Sequence, residues 1–323
     1  MSAYLLRRLL QMIPTLIGIS LIAFLIVKAT PGDQTMVYVD PNRPPPSAED
    51  LARIREDLGL DQPLHIQYVR WLGDVVTGDL GFSLSGRRAV SDEIIDRLPA
   101  TLLLGSTALI LSIVVAIPIG IFSAVRRYTV PDYIITTLSF IGLSLPGFFL
   151  ALILMQIFSV NLRWLPTTGI RNVRENYEGM QAVMDTARHL ILPAIALSAA
   201  SIARWVRYQR SAIIEVLDQD YIRTARAKGL RERTTLVSHA LRNALLPMVT
   251  LIGLSISQLV SGSFVIEFVF GWPGLGLLGV NAALRRDFPV IMGVTMLTAT
   301  FVVVGNFVTD IAYAYIDPRI RYE

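Results

Sequence analysis

The residue types that most often do chemistry in proteins are few in this sequence, and their spacing does not support a reaction. The chain has no cysteine, and its three histidines (His65, His189 and His239) lie far apart along the sequence. No disulfide, no metal-ligand spacing and no nucleophile beside a base is therefore indicated. Residues 274–279 fit the pattern G-x-G-x-x-G, but they lie in a predicted loop rather than after a strand, which favours a turn over a nucleotide site. We expect no catalytic residue and no metal.

Composition indicates instead a protein embedded in a membrane. Of the 323 residues, 53% are hydrophobic and 17% are charged, and the mean hydropathy is +0.54. Soluble domains carry about 25% charged residues. The net charge of +4 arises beside the apolar runs rather than in an exposed basic stripe, so we expect no nucleic-acid partner. The apolar runs are each about 20 residues long, enough to cross a bilayer as a helix, and lie at 9–27, 101–123, 133–159, 190–206, 246–268 and 290–313.

We therefore predict an all-α integral membrane protein with about six transmembrane helices and a small extracytoplasmic subdomain. Arginines flank the segments that would face inward, and this distribution places both termini in the cytoplasm. A capping-box pattern beginning at Ser47 predicts a short helix within the outer segment. The predicted divisions are an anchor helix at 1–29, an outer segment at 30–98, a transmembrane core at 99–316 and a cytoplasmic tail at 317–323.

The inner loop at 207–245 carries the most informative pattern. It is too polar to cross the membrane, yet its apolar residues recur at helical spacing. Gly229 is a natural helix stop, because glycine tolerates a positive φ. A second short helix at about 231–242 then leads into the fifth apolar run. The pattern predicts a surface helix, a glycine turn and a return into the membrane.

Two stretches of this loop resemble the inner loop of permease subunits of bacterial ABC importers. The first is DYIRTARAKG, ending at Gly229, and the second is HALRNALLP, ending at Pro247. The general family motif is Glu-Ala-Ala, three residues, Gly, then Ile-x-Leu-Pro. Ala225, Gly229 and Pro247 match that motif, whereas Arg223 and Thr224 depart from it in the manner of the dipeptide and oligopeptide branch. Further matches, including LGLDQP, GDLGFS, LPTTG, FGWPGLG and DPRIRY, extend the resemblance to the B-type permeases along nearly the whole chain.

The resemblance implies a type I ABC importer permease in a bacterial inner membrane. It implies a second (C-type) permease subunit, one or two cytoplasmic ABC ATPases and an extracytoplasmic substrate-binding protein as partners, within membrane lipid. ATP and Mg would be bound by the ATPases, because this chain has no Gly-x-x-x-x-Gly-Lys-Ser/Thr sequence, and this chain would need no cofactor of its own. The residues implied to couple the permease to an ATPase are Asp220, Tyr221, Arg223, Ala225, Arg226, Lys228 and Gly229.

These coupling residues suggest individual roles. Gly229 would supply the turn, and the small side chain of Ala225 would let a partner surface approach closely. Arg223, Arg226 and Lys228 would pair with acidic groups of the ATPase. The alternative is a solvated basic loop that only sets the topology.

Polar residues inside the apolar runs are candidates for the wall of a transport pathway. They are Gln156, Ser257, Gln258, Ser261 and Asn306. The alternative for each is a hydrogen bond between helices, worth about 0.6 kcal/mol. Glu267 and Asp310 lie near the ends of predicted spans, where a charge costs less.

A secondary transporter driven by an ion gradient is the main alternative function. Such transporters commonly contain inverted repeats and intramembrane acids, and neither is evident here. For the outer segment at 30–98, we expect a role in receiving the substrate-binding protein or in covering the outer mouth of the pathway. The alternative is a simple connector.

Overall fold

The computed structural model describes residues 2–30, 47–57, 59–175, 177–257, 259–261 and 263–316, which form a helical bundle. Within these ranges the β-structure is a single bridge between Phe82 and Ala89, which confirms the predicted all-α class. In chain order the helices are α1 (Ser2–Ala29), α2 (Ala48–Asp57), α3 (Leu64–Val76), α4 (Val90–Val125), α5 (Val130–Ser144), α6 (Gly147–Leu154), the π-helix π1 (Met155–Asn161), α7 (Gly179–Leu217), α8 (Asp220–Ala227), α9 (Glu232–Thr234), the π-helix π2 (Thr235–Ala240), α10 (Leu241–Ala244), α11 (Leu246–Ser257), α12 (Phe264–Phe270), α13 (Leu275–Arg285) and α14 (Phe288–Ile316).

Four of these helices are long and apolar enough to cross a membrane individually, namely α1, α4, α7 and α14. Three bent helix pairs meet the same test when each pair is taken as one span. Length and composition therefore allow between four and seven crossings in the part of the chain that is described. The predicted figure of about six lies within this range.

α4 and α7 form the central pair of the bundle. They contain 36 and 39 residues, so each is roughly 55 Å long and exceeds the thickness of the hydrocarbon layer. They approach closely because α4 carries Gly120, where an added Cβ would lie 2.7 Å from Cβ of Gln209. Both helices extend beyond the predicted spans. α4 begins within the segment that we assigned to the outer loop, and α7 continues through the predicted boundary at 206/207 without a break.

The predicted span at 133–159 is bent in the structure, as the proline within it leads us to expect. α5 and the continuous segment Gly147–Asn161 meet at an angle of 105°. The bend lies at Pro146, which has no backbone N–H and which disfavours helical dihedral angles in the preceding residue. Leu145 accordingly adopts an extended conformation, with φ −84° and ψ 125°.

The predicted fifth span at 246–268 also differs from the structure. α11 ends at Ser257, and a turn separates it from α12. α12 and α13 then form a third bent pair, at 83°, in a region that we had divided between a span and a loop. Gly271 ends α12 with a left-handed backbone (φ 56°), which turns the chain into α13. The local sequence did not reveal the break because α12 is apolar apart from Glu267 and so extends the apolar run of α11.

α1 packs against α14 and α3. Phe24 lies in an aromatic cluster with Tyr68 and Trp71, and the Ser20 hydroxyl lies 2.8 Å from the hydroxyl of Tyr68. α2, which precedes α3 in the chain, begins with the predicted capping box. The Ser47 hydroxyl donates to the carboxylate of Asp50 at 2.7 Å, and it accepts from the Asp50 backbone N–H at 3.1 Å.

Candidate functional site

The predicted inner loop begins as a continuation of α7 rather than as a separate segment. The last turns of α7 bury Ile213 in a cluster with Ala124 of α4 and Ala244 of α10. A short turn follows Leu217, and Gln219 adopts an extended conformation (φ −72°, ψ 149°) at the N-cap of α8. α8 is therefore attached directly to a helix that runs through the bundle.

α8 has one face buried against this chain and one face exposed. Ile222 is fully buried and Ala225 is 8% exposed, and their i, i+3 spacing places them on the same side of the helix. α8 as a whole packs against π2 and the end of α7. The Tyr221 hydroxyl accepts a hydrogen bond from the side-chain amide of Asn243 at 2.9 Å, which adds a second attachment.

Ala225, at which we predicted the close approach of a partner surface, is largely buried within this chain, and that role stays a prediction. The outward face of α8 is formed by other residues, namely Asp220, Arg223, Thr224 and Ala227.

Gly229 ends the α8 segment in the manner that the sequence predicts. Its φ is +76°. The Gly229 N–H donates to the carbonyl of Arg226 at 2.9 Å, and the Leu230 N–H donates to the carbonyl of Ala225 at 3.3 Å. This pair of bonds is a Schellman motif, which satisfies the last carbonyls of the helix and requires a left-handed residue at this position.

The predicted cations differ in how they are engaged. Arg226 lies 3.1 Å from the Glu232 carboxylate, so it helps to join α8 to α9. Arg223 approaches the highly exposed Asp220 at 3.5 Å. Lys228 is exposed. All these side chains remain accessible enough for exchange with a partner, because exposed ion pairs contribute about 0–1 kcal/mol.

In the part of α7 that precedes α8, a buried ion pair joins α7 to α5. Asp132 is 1% exposed, and its carboxylate accepts hydrogen bonds from Arg210 Nε at 2.7 Å and from Arg210 Nη2 at 2.8 Å. A second ion pair, between Arg127 and Asp218, lies at the end of α7 at 3.2 Å and is more exposed. Sequence analysis did not select any of these four residues.

The residues predicted to line a pathway are not brought together. Gln156 bonds to Asn161 on the exposed side of π1, whereas Asn306 lies in a recess between α1 and α14. Ser257 is buried against Gly305, and Ser261 lies in the turn before α12. Gln258 lies outside the described residues. Asp310 in the same recess pairs with Arg8 at 3.3 Å.

A polar cleft does occur elsewhere, between α4, α7 and α11. It has a volume of about 170 Å³, and serine hydroxyls from all three helices line it. Three of these hydroxyls donate to carbonyls of their own helices, which leaves oxygen lone pairs available. The serines are Ser112, Ser198, Ser201 and Ser255. No local pattern identifies these serines, because single serines are common in membrane helices and their convergence depends on how the helices cross.

At the opposite end of α4 from α8, the turn between α12 and α13 is held by a buried carboxylate. Glu267 is fully buried and accepts hydrogen bonds from the Ser263 hydroxyl at 2.7 Å and from the Gly276 N–H at 2.7 Å. Trp272 donates its indole N–H to the carbonyl of Ala100 at 2.8 Å. The glycine-rich pattern at 274–279 is thus the start of α13, where the backbone passes close to this carboxylate.

Comparison with known proteins identifies the family. The sequence profile of the binding-protein-dependent transport system inner membrane component matches residues 116–322, and that of the N-terminal part of such components matches residues 1–105. The chain is 47% identical to the oligopeptide transport system permease protein AppB of Bacillus subtilis, over all of both chains. It is 42% identical to the glutathione transport system permease protein GsiC of Salmonella typhimurium, again over all of both chains.

The fold also matches a solved structure, the MetNI methionine ABC transporter in inward-facing conformations. The match has a TM-score of 0.55 at 18% identity, and it covers 69% of this chain and 96% of the other. These similarities favour ATP-driven import over the ion-gradient alternative, and the related chains are transport permeases rather than enzymes. The chain therefore belongs to the family of binding-protein-dependent transport system inner membrane components, and it is a multi-pass permease subunit of an ABC importer.

Proposed function

We propose that this permease imports short peptides or similar small solutes, and that α8 is the helix that couples it to a cytoplasmic ATPase. The observation that carries the proposal is the two-sided construction of α8. Its inner face is fixed by Ile222 and Ala225, its end is fixed by the Gly229 turn, and its outer face remains exposed. A helix that is held rigidly on one side can transmit a displacement received on the other.

The substrate class rests on the similarity to permeases named for oligopeptides and for glutathione, which is itself a small peptide. The complex would contain a second permease subunit, one or two ATPases that bind ATP and Mg, and an extracytoplasmic binding protein. In this arrangement α8 and both termini face the cytoplasm. This chain would hydrolyse no ATP itself. The serine-lined cleft between α4, α7 and α11 is our preferred part of the pathway wall, because its uncharged oxygen atoms can accept hydrogen bonds from peptide N–H groups.

For the part of the outer segment at 40–75, we propose contact with the binding protein or coverage of the outer mouth. α3 supports this role, since Ile66, Val69 and Val76 are exposed on a helix that also packs against α1. Deletion of 40–75 should reduce uptake in a chain that still inserts and binds its ATPases. Unchanged uptake would leave this segment as a connector.

Affinity purification of the tagged chain from native membranes in mild detergent, followed by mass spectrometry, tests the coupling role. We expect a second six-helix permease and one or two ATPases to be recovered. Ala227→Trp adds bulk to the exposed face of α8, and it should abolish ATPase recovery while the second permease is retained. The matched control is Ala283→Trp on the exposed surface of α13, which should leave recovery unchanged.

A folded chain that purifies alone, or only with copies of itself, would contradict the proposal. Uptake of a labelled tripeptide into cells then provides an independent check. Uptake should stop when ATP is depleted and should persist when the ion gradient is dissipated with ATP maintained. The opposite dependence would favour a secondary transporter.

A further inference from the structure

The carboxylate of Asp132 has more hydrogen-bond donors around it than a simple surface ion pair would have. Arg210 binds both of its oxygens, through Nε at 2.7 Å and through Nη2 at 2.8 Å. The Ser123 hydroxyl also donates to Oδ1, and the Tyr128 backbone N–H donates to Oδ2 at 2.9 Å. Each oxygen therefore accepts two hydrogen bonds, which satisfies the whole acceptor capacity of a carboxylate. The group is 1% exposed, so water does not compete for these bonds.

These donors come from separate parts of the chain. Ser123 lies in the last turn of α4, Tyr128 lies in the turn that follows, and Arg210 lies in α7. Tyr128 adopts a positive φ of 63° although it is not glycine, a conformation that costs about 1–2 kcal/mol. The bond from its N–H to Asp132 helps to maintain that turn. One carboxylate thus fixes the relative positions of α4, α5 and α7.

The position of Arg210 relates this cluster to α8. Arg210 lies two turns before the end of α7, and α8 follows after a short turn. A displacement of α8 passes to α7 through continuous chain, but it can reach α5 only through side-chain contacts. Apolar side chains can slide past one another, whereas a bidentate guanidinium–carboxylate bond fixes both distance and orientation.

We propose that Asp132 and Arg210 form a strut that transmits the movement of α8 to α5, and through the bend at Pro146 to α6. This inference rests on the proposed role of α8 as the coupling helix. Both residues are positioning residues, since neither needs to touch substrate or ATP. In the absence of the strut, the ATPases would still bind and hydrolyse ATP, but α5 and α6 would follow α8 less completely.

The test uses the complete complex in liposomes with its binding protein, and it measures the number of labelled tripeptides imported per ATP hydrolysed. The double variant Asp132→Asn with Arg210→Gln removes both charges and leaves neither one buried alone. We expect it to keep its ATPases and to hydrolyse ATP, while uptake per ATP falls about tenfold, a size typical of coupling between sites. A loss of folded complexes alone would reduce both rates and leave their ratio unchanged.

Arg210→Lys keeps the charge but removes the bidentate geometry, so its ratio should lie between those of the double variant and the native complex. If the double variant does not fold, the uptake per ATP of Arg210→Lys alone tests whether the strut transmits movement. The control replaces the exposed pair Arg88 and Asp96, which are 3.0 Å apart, by Gln and Asn and should leave the ratio unchanged.

The strut proposal would be wrong if a folded double variant imported as many peptides per ATP as the native complex. If only Arg210→Lys folds, an unchanged ratio in that variant would have the same meaning. Retention of the ATPases by Ala227→Trp would instead contradict the coupling role of α8, whatever the strut variants do.

Discussion

Two buried carboxylates, Glu267 of α12 and Asp132 of α5, contact opposite halves of α4, and they are stabilised differently. Near the N-terminal half of the helix, Glu267 accepts from a hydroxyl and from backbone N–H groups that lie within ten residues of it in sequence. Near the C-terminal end, Asp132 binds a guanidinium that is 78 residues away along the chain. Thr101 and Ser123, which contact the two clusters, are separated by roughly 33 Å along the helix axis.

The difference indicates where the bundle is rigid and where it can transmit movement. The bonds of Glu267 close a local turn and cap the start of α13, so they stabilise one element regardless of how the long helices move. The bonds of Asp132 exist only while α4, α5 and α7 keep their relative positions. The carboxylate of Asp132 therefore depends on a contact between helices, whereas the carboxylate of Glu267 depends on local structure.

The largest effect is expected from Asp132→Asn. The asparagine NH2 group would face the N–H donors of Arg210, so two sets of donors would oppose each other. The guanidinium would also lose the negative charge of its buried partner. Breaking a buried pair in this way costs about 3–5 kcal/mol, and we expect a value near the lower limit because the Arg210 side chain is 24% exposed. The measurement is the thermal stability of the detergent-solubilised chain by size-exclusion chromatography. A stability equal to that of Asp96→Asn, which alters an exposed pair, would contradict this account.

A smaller effect is expected from Glu267→Gln. The amide oxygen can take over the bonds from Gly276 and Leu277, and the Ser263 hydroxyl can rotate to accept from the new NH2 group. We expect a loss of about 1–2 kcal/mol, because the donors left without an acceptor are neutral, whereas Asp132→Asn leaves a charged group without its partner. The same thermal assay applies. Equal losses of stability from Glu267→Gln and Asp132→Asn would show that the carboxylate charge contributes equally at both sites, which would contradict the local stabilisation of Glu267.

Sequence analysis found the long helices because an apolar run of about 20 residues is a strong local signal. It also located the Gly229 turn, since the need for a positive φ is a property of one residue. It could not find the strut or the serine cleft, because each depends on how α7 packs against distant helices. The predicted pathway residues were selected by polarity alone, and polarity does not specify which way a side chain faces.

The glycine turn offers the next test at the α8 end. Gly229→Ala should destabilise the end of α8 by about 1–2 kcal/mol, because alanine is strained at φ +76°. No heavy atom lies within 4 Å of the added Cβ, so the effect is conformational rather than steric. Gly229→Asn should be milder, since asparagine adopts this conformation more readily. Recovery of the ATPases in the purification assay should be highest for the native chain, lower for Gly229→Asn and lowest for Gly229→Ala.

Gly73→Ala in α3 is the matched control for that series, because its added Cβ also meets no atom within 4 Å and its φ is helical. There alanine should be neutral or slightly stabilising. Equal ATPase recovery from the alanine and asparagine variants at position 229 would show that backbone strain does not limit the seating of α8.

The smallest effect is expected at a third carboxylate, Asp50, which is fully exposed. The Ser47 hydroxyl, and after it the Ser47 backbone N–H, hold the pKa of Asp50 below its usual value. An acid with a lowered pKa stabilises the folded state above its unfolded pKa, and that contribution is lost as the pH falls through the folded pKa. Ser47→Ala should therefore raise the pKa of Asp50 and reduce the protection of α2 from proteolysis at neutral pH. Acidification of the native chain to below its lowered pKa should remove the same protection. Because solvent screens an exposed carboxylate, Ser47→Ala should not alter uptake per ATP at neutral pH, in contrast to any change at Asp132.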